Sequence, residues 1–137
     1  MFLDICMEFG WTNLIKLIYK YYDTDEITRT LCRACIHDNF EIVKILINKS
    51  DINMYFNIHP CFKTTAFTLA VNYGSIKIIK LLIKHGSDMQ LNDCDFVNMS
   101  IEKIRFLLKY NIKNNKILAR HNSNYIEYAK LIISNFS

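Results

Sequence analysis

A short apolar segment that stops at a residue tolerant of left-handed backbone, and is followed at once by a second apolar segment, occurs four times in this chain. The units are CMEFGWTNLIKLI from Cys6, ACIHDNFEIVKILI from Ala34, AVNYGSIKIIKLLI from Ala70 and, more loosely, RHNSNYIEYAKLII from Arg120. Gly10, Asp38, Gly74 and Asn124 hold the same place in each unit, between the two segments. Glycine, asparagine and aspartate reach positive φ at least cost, which suits a tight turn between helices. Repetition constrains the fold more than any single residue does, because a helical hairpin this short cannot bury its apolar face alone. Stacked neighbours can, and they build one continuous core.

The register extends beyond the turn. Thr12, Phe40, Ile76 and Ile126 stand two residues after it, and Lys16, Lys44, Lys80 and Lys130 follow in the second segment. In the third unit Ile76, Ile78, Ile79, Leu81, Leu82 and Ile83 are expected to turn inward while Lys77, Lys80 and Lys84 face water. Gly86 predicts a left-handed C-cap, with His85 near the last carbonyls. Ser50 and Asn111 hold the equivalent stop in neighbouring units.

These units resemble the ankyrin repeat. The match is carried by Thr65-Ala66-Phe67-Thr68-Leu69-Ala70-Val71-Asn72-Tyr73-Gly74-Ser75, by Ile76 to Ile83 and by Gly86-Ser87-Asp88-Met89, and again by Ala34-Cys35, Glu41-Ile42-Val43-Lys44 and Ser50-Asp51-Ile52-Asn53. The resemblance implies an all-α solenoid of about four to five irregular helix-turn-helix units forming a single domain over 1–137. The units fall at approximately 1–28, 29–64, 65–90, 91–113 and 114–137. Departures are plain: the interval from Cys6 to Ala34 is short, an insertion lies around Met54 to Lys63, no unit opens with Thr-Pro, and Met99 stands where a turn residue belongs. The sole proline, Pro60, lies in the insertion.

Composition narrows the setting. At 137 residues with 51% hydrophobic residues, the chain suits one folded domain. No apolar run reaches the length of a membrane span. Met1-Phe2-Leu3-Asp4 lacks a basic leader, so secretion is not expected. Five cysteines at irregular spacing, with Cys6 and Cys35 where the repeat wants a small buried residue, point to reduced core thiols and to the cytosol or nucleus. The richness in Ile, Asn, Lys, Tyr and Phe, joined to degenerate Ala-poor repeats, resembles the ankyrin proteins of large DNA viruses, mimivirus-like or poxvirus-like. Phe136-Ser137 ends the chain without an F-box-like tail, which argues against a ubiquitin-ligase adaptor of the poxvirus type.

Chemistry finds little purchase. Cys32-x-x-Cys35 with His37, His59 and Cys61 has zinc-ligand residue types, yet both cysteines fall in a predicted helix and no second pair completes the set. Cys35 with His37 and Cys61 with His59 are two apart, a spacing that does not face across a helix. No phosphate loop, Gly-x-Ser-x-Gly or His-Glu-x-x-His is present. The chain is therefore expected to be no enzyme and to need no cofactor or metal.

The net charge of +4 is spread over several helices. A nucleic-acid reading would use Lys77, Lys80, Lys84, Lys103, Arg105 and Lys109 as phosphate contacts, but aromatic platforms do not interleave with them. A decayed fragment of a longer array is a further alternative. The favoured expectation is a protein partner. In the ankyrin family, partners lie against the finger tips and the two positions before the Gly turn, which here are Glu8 and Phe9, Ile36 and His37, and Asn72 and Tyr73. The insertion adds Tyr55, Phe56 and Ile58 to a finger that either meets a partner or folds back over the stack. Tyr73 and Phe56 are expected to be dispensable for folding, and Trp11 is expected to shield the exposed end of the core.

Overall fold

Helices α1 (Phe2–Glu8) and α2 (Thr12–Ile18) form a first pair, α3 (Thr24–Ile36) and α4 (Phe40–Leu46) a second, and α5 (Ala66–Tyr73) and α6 (Ile76–Lys84) a third; α7 (Ile101–Lys109) follows. The computed structural model describes residues 2–59, 62–89 and 100–109. Within this region α1 packs on α3 and α3 on α5, while α2 packs on α4 and α4 on α6. The result is two rows of helices, a front row α1–α3–α5 and a back row α2–α4–α6, which is the solenoid that the repeats predict.

The core lies between the rows. Cys6, Ala34 and Ala70, equivalent residues of the three units, are all fully buried, as are Ile15, Ile42, Val43, Ile78, Ile79 and Leu82. Small residues on the front row let the helices approach, and the aliphatic stripe of the back row fills the space behind them. Lys16, Lys44, Lys77, Lys80 and Lys84 remain exposed, as the periodicity requires. Among the described residues Phe67 is the largest fully buried side chain, and Leu107 brings α7 into the same cluster.

The turns divide into two kinds. Gly10 and Gly86 have φ of 68° and 81°, and Asp38 has 55°. Each closes its helix with the same pair of bonds: Trp11 N donates to Cys6 O, Asn39 N to Ala34 O and Ser87 N to Leu82 O, while Gly10, Asp38 and Gly86 donate three residues back. This is the double-bonded left-handed helix stop. Gly74 departs from the expectation of positive φ, since its φ is −87° and its ψ 179°. Space is what selects glycine there. An added Cβ would lie 3.0 Å from the Ala70 carbonyl oxygen and 3.2 Å from that of Cys35, so the residue marks a close crossing of α5 against α3.

Helix starts explain two more differences. Asp23 caps α3 by accepting from Glu26 N at 2.8 Å, so α3 begins at Thr24 and crosses the boundary expected at residue 28. The first interval is short because only a 3₁₀ turn (Tyr19–Tyr21), Tyr22 and the Asp23 cap separate α2 from α3. In the second interval the expected loop pairs into an antiparallel hairpin, β1 (Phe56–His59) with β2 (Phe62–Thr64), in which Phe56 faces Thr64. Thr65 then caps α5 through Thr68 N. The expected fifth unit (114–137), most of the fourth (91–113), Asn124, Pro60, Cys61, Cys94 and Met99 lie outside the described residues.

Candidate protein-binding surface

A cleft of about 790 Å³ opens on the front row, walled by Leu3 and Asp4 of α1, by α3 from Glu26 to Ile36, and by Met54, Tyr55 and Phe56 at the base of the hairpin. Of the expected contact residues, Ile36, Tyr55 and Phe56 meet here. Tyr55 is 51% exposed. Phe56 is partly buried and packs on the core, which corrects the expectation that it is dispensable for folding: its ring is held by the stack it would otherwise leave. The finger thus turns one aromatic out and folds the next back against the stack. The Ile58 side chain lies outside the described set.

Phe9, His37 and Tyr73 form a second group. They stand at the C-terminal ends of α1, α3 and α5, one on each front-row helix, and all three are exposed, Phe9 at 67% and Tyr73 at 60%. Glu8 is exposed beside Phe9. Trp11 does not shield the core. It is 48% exposed and stacks on Phe9, centroids 5.3 Å apart and planes 24° from parallel, because the Gly10 turn brings the two rings to the same side. Asn72 is half-buried, and its Oδ1 is shielded with no hydrogen-bond partner among the described residues, so its carbonyl is not presented to solvent as a polar guide would be.

Sequence reasoning missed the charged part of the cleft. Asp4 accepts from Thr30 Oγ1 at 3.3 Å and pairs with Arg33 at 3.7 Å. Arg29 and Arg33 stand one turn apart on α3 and both line the cleft with Tyr22 and Glu26. The signal was present: Asp23 followed three residues later by Glu26 is a helix-opening signature, and it would have placed both arginines on one helical face.

Cys32 and Cys35 are buried on α3. Burial pushes the Cys32 thiol up to about 12. It raises Cys35 further, with Cys32 and Asp38 nearby adding to the rise. These are protonated core thiols, poor nucleophiles and poor ligands. Among the described residues no three His, Cys, Asp or Glu side chains gather as a metal site would need, and no helix is long and apolar enough to cross a membrane.

Three of the six cations considered for nucleic acid are engaged within the fold. Lys77 sits over the Phe40 ring at 4.1 Å and Lys80 over Phe106 at 5.6 Å. Lys103 donates to Val71 O at 3.0 Å, and burial lowers its amine, partly countered by Asp38.

Comparison with known families bears on this architecture. The model for ankyrin repeats in three copies matches residues 3–93 and 31–120. This chain belongs to the ankyrin-repeat family. A Caenorhabditis elegans relative, "Ankyrin repeat and KH domain-containing protein mask-1", is 33% identical over 85 residues, which is 61% of this ankyrin-repeat protein and 3% of the relative. The chain therefore spans a very small part of that protein's length. No solved structure gives a significant match. Ankyrin repeats generally mediate protein–protein interaction, and this ankyrin-repeat protein carries exposed Phe9 and Tyr73 and the cleft on its front row, with exposed Tyr21 beyond the end of back-row α2.

Proposed function

We propose that this ankyrin-repeat protein is a non-enzymatic module that holds a protein partner against its front row. The observation that carries the reading is the alignment of exposed Phe9, His37 and Tyr73 at the ends of the three front-row helices α1, α3 and α5, on the row whose cleft bears exposed Tyr55. Large rings on a rigid scaffold bury much surface at little ordering cost, so a few of them supply most of the affinity. Exposed His37 can offer the partner a polar contact, which the shielded Asn72 Oδ1 does not. Buried, protonated thiols at Cys32 and Cys35 suit a reducing compartment and support a cytosolic setting. The Ala-poor, Ile- and Asn-rich composition supports a virus-encoded chain acting on a host protein.

Affinity capture from cytosol tests the reading. The full chain should retain a partner that the Phe9→Ala, Tyr73→Ala double variant loses, with the melting point of the two chains nearly equal because both side chains are exposed. Retention on a polynucleotide column that collapses with salt, together with capture indifferent to the double variant, would favour a nucleic-acid binder instead.

A further inference from the structure

The outward face of α1 is apolar at the places where later units meet their predecessors. Counted from the equivalent Cys6, Ala34 and Ala70, Phe2 holds the place of Thr30 and Ala66, and Ile5 that of Arg33 and Leu69. In the second unit these places turn back toward the unit before, because Thr30 and Arg33 both engage Asp4 of α1. In the third unit Ala66 and Leu69 are buried on α5, which packs on α3. Among the described residues no helix precedes α1, and Phe2 and Ile5 stand 47% and 43% exposed. An end unit that met only water would carry polar residues there. Phe9 N donates to Ile5 O at 3.1 Å, so the helical spacing continues past Glu8 and sets Phe2, Ile5 and Phe9 on one face. Trp11, stacked on Phe9, widens that face.

We infer that α1 pairs with α1 of a second copy of this chain, antiparallel across a two-fold axis at Ile5. The spacing selects this occupant. Phe2 lies three residues before Ile5 and Phe9 four after it, so laying one helix reversed on the other sets each Phe2 against Phe9 of the partner subunit and brings the two Ile5 side chains together at the axis. Charge does not oppose the pairing: Asp4 is turned to α3 by its two bonds, and the two Glu8 carboxylates fall on either side of the axis rather than opposite each other. Phe2, Ile5, Phe9 and Trp11 together expose roughly 500 Å² per copy, so a pair of faces covers about 1,000 Å², the size at which a specific interface begins.

Sedimentation velocity on the full chain over a concentration series tests the pairing. Dimers should dominate by about 100 µM, as befits an interface at the small end of the range. Ile5→Glu places two carboxylates at the axis and should weaken the dimer at least about tenfold, with an unchanged far-ultraviolet circular dichroism spectrum because the side chain is exposed. Ile5→Cys should form a disulfide between copies on oxidation with copper phenanthroline, beyond any crosslink of the natural chain. A natural chain that stays monomeric, a dimer equally strong in Ile5→Glu, or an Ile5→Cys chain that gains no crosslink would overturn the inference. The pairing does not rest on the docking reading above. Ile5→Glu frees Phe9 and keeps His37 and Tyr73, so capture of a protein partner by that variant tests the docking reading separately.

Discussion

The Asp38 carboxylate accepts a hydrogen bond from the backbone N–H of Ser75 at 2.9 Å, tying the turn of one unit to the turn of the next. A second bond of the same kind joins the fingers, where Asn53 Oδ1 accepts from Asp88 N at 2.7 Å. Lys49 bridges the first and second units by donating to both Lys20 O and Tyr22 O. Neighbouring units are thus held at their polar edges as well as through the core between the rows.

Asp38 has two tasks, since it also carries the turn at φ 55°. Asp38→Asn keeps the side-chain acceptor and the tolerance of left-handed backbone, and it should cost less than about 1 kcal/mol. Asp38→Ala loses both and should cost about 2–3 kcal/mol. Urea denaturation of the two variants checks this order; equal loss would mean that the bond to Ser75 contributes nothing.

Gly10 and Gly74 occupy the same register but serve different needs, and asparagine separates them. At Gly10 nothing lies within 4 Å of an added Cβ, so Gly10→Asn meets only the left-handed backbone, which asparagine tolerates, and should cost about 1 kcal/mol or less. Gly74→Asn forces its Cβ against two backbone carbonyls and should cost about 1–3 kcal/mol. Denaturant midpoints of the pair would show it.

Leu82 is fully buried within the back row. Leu82→Ala should cost about 2–5 kcal/mol, a large part of the stability of a small domain. Because each unit leans on its neighbours, the loss should appear as a lower midpoint for the whole described stack when followed by circular dichroism.

The buried thiols give a pH dependence with a definite sign. In the unfolded chain a thiol ionises near 9.0, whereas Cys32 in the fold holds its proton to about 12. The folded state therefore binds more protons across that window, so the thiol contribution is intact below pH 8 and is lost as pH rises from about 9 toward 12. Lys103 works in the opposite sense, because burial lowers its amine and the unfolded chain keeps that proton longer. Peptide-resolved mass spectrometry should find Cys32 and Cys35 unreactive to iodoacetamide at pH 8 until urea is added. Labelling of the folded chain would show that α3 is open.

Much of the fold was legible because its signals are local. The spacing of Ile78, Ile79 and Leu82 against Lys77, Lys80 and Lys84 reports a helix face directly, and Gly86 marks its end. Gly74 was misread because a sequence records that glycine is needed without recording whether backbone angle or space requires it. The hairpin at Phe56–Thr64 and the inward turn of Phe56 were hidden since a short apolar run reads alike as an exposed finger or a folded one. At the candidate site the shared position of Phe9, His37 and Tyr73 before each turn was legible from register, while the meeting of Arg29, Arg33 and Asp4 was not, because it depends on how α1, α3 and the finger converge.

A photo-crosslinking residue placed at two positions on opposite rows tests the docking face most directly. With p-benzoylphenylalanine replacing Tyr73 on the front row, irradiation in cytosol should attach a protein partner. The same group replacing Leu17 on α2, which is 67% exposed, should attach none. Crosslinking from position 17 with none from position 73 would contradict a partner held against Phe9, His37 and Tyr73.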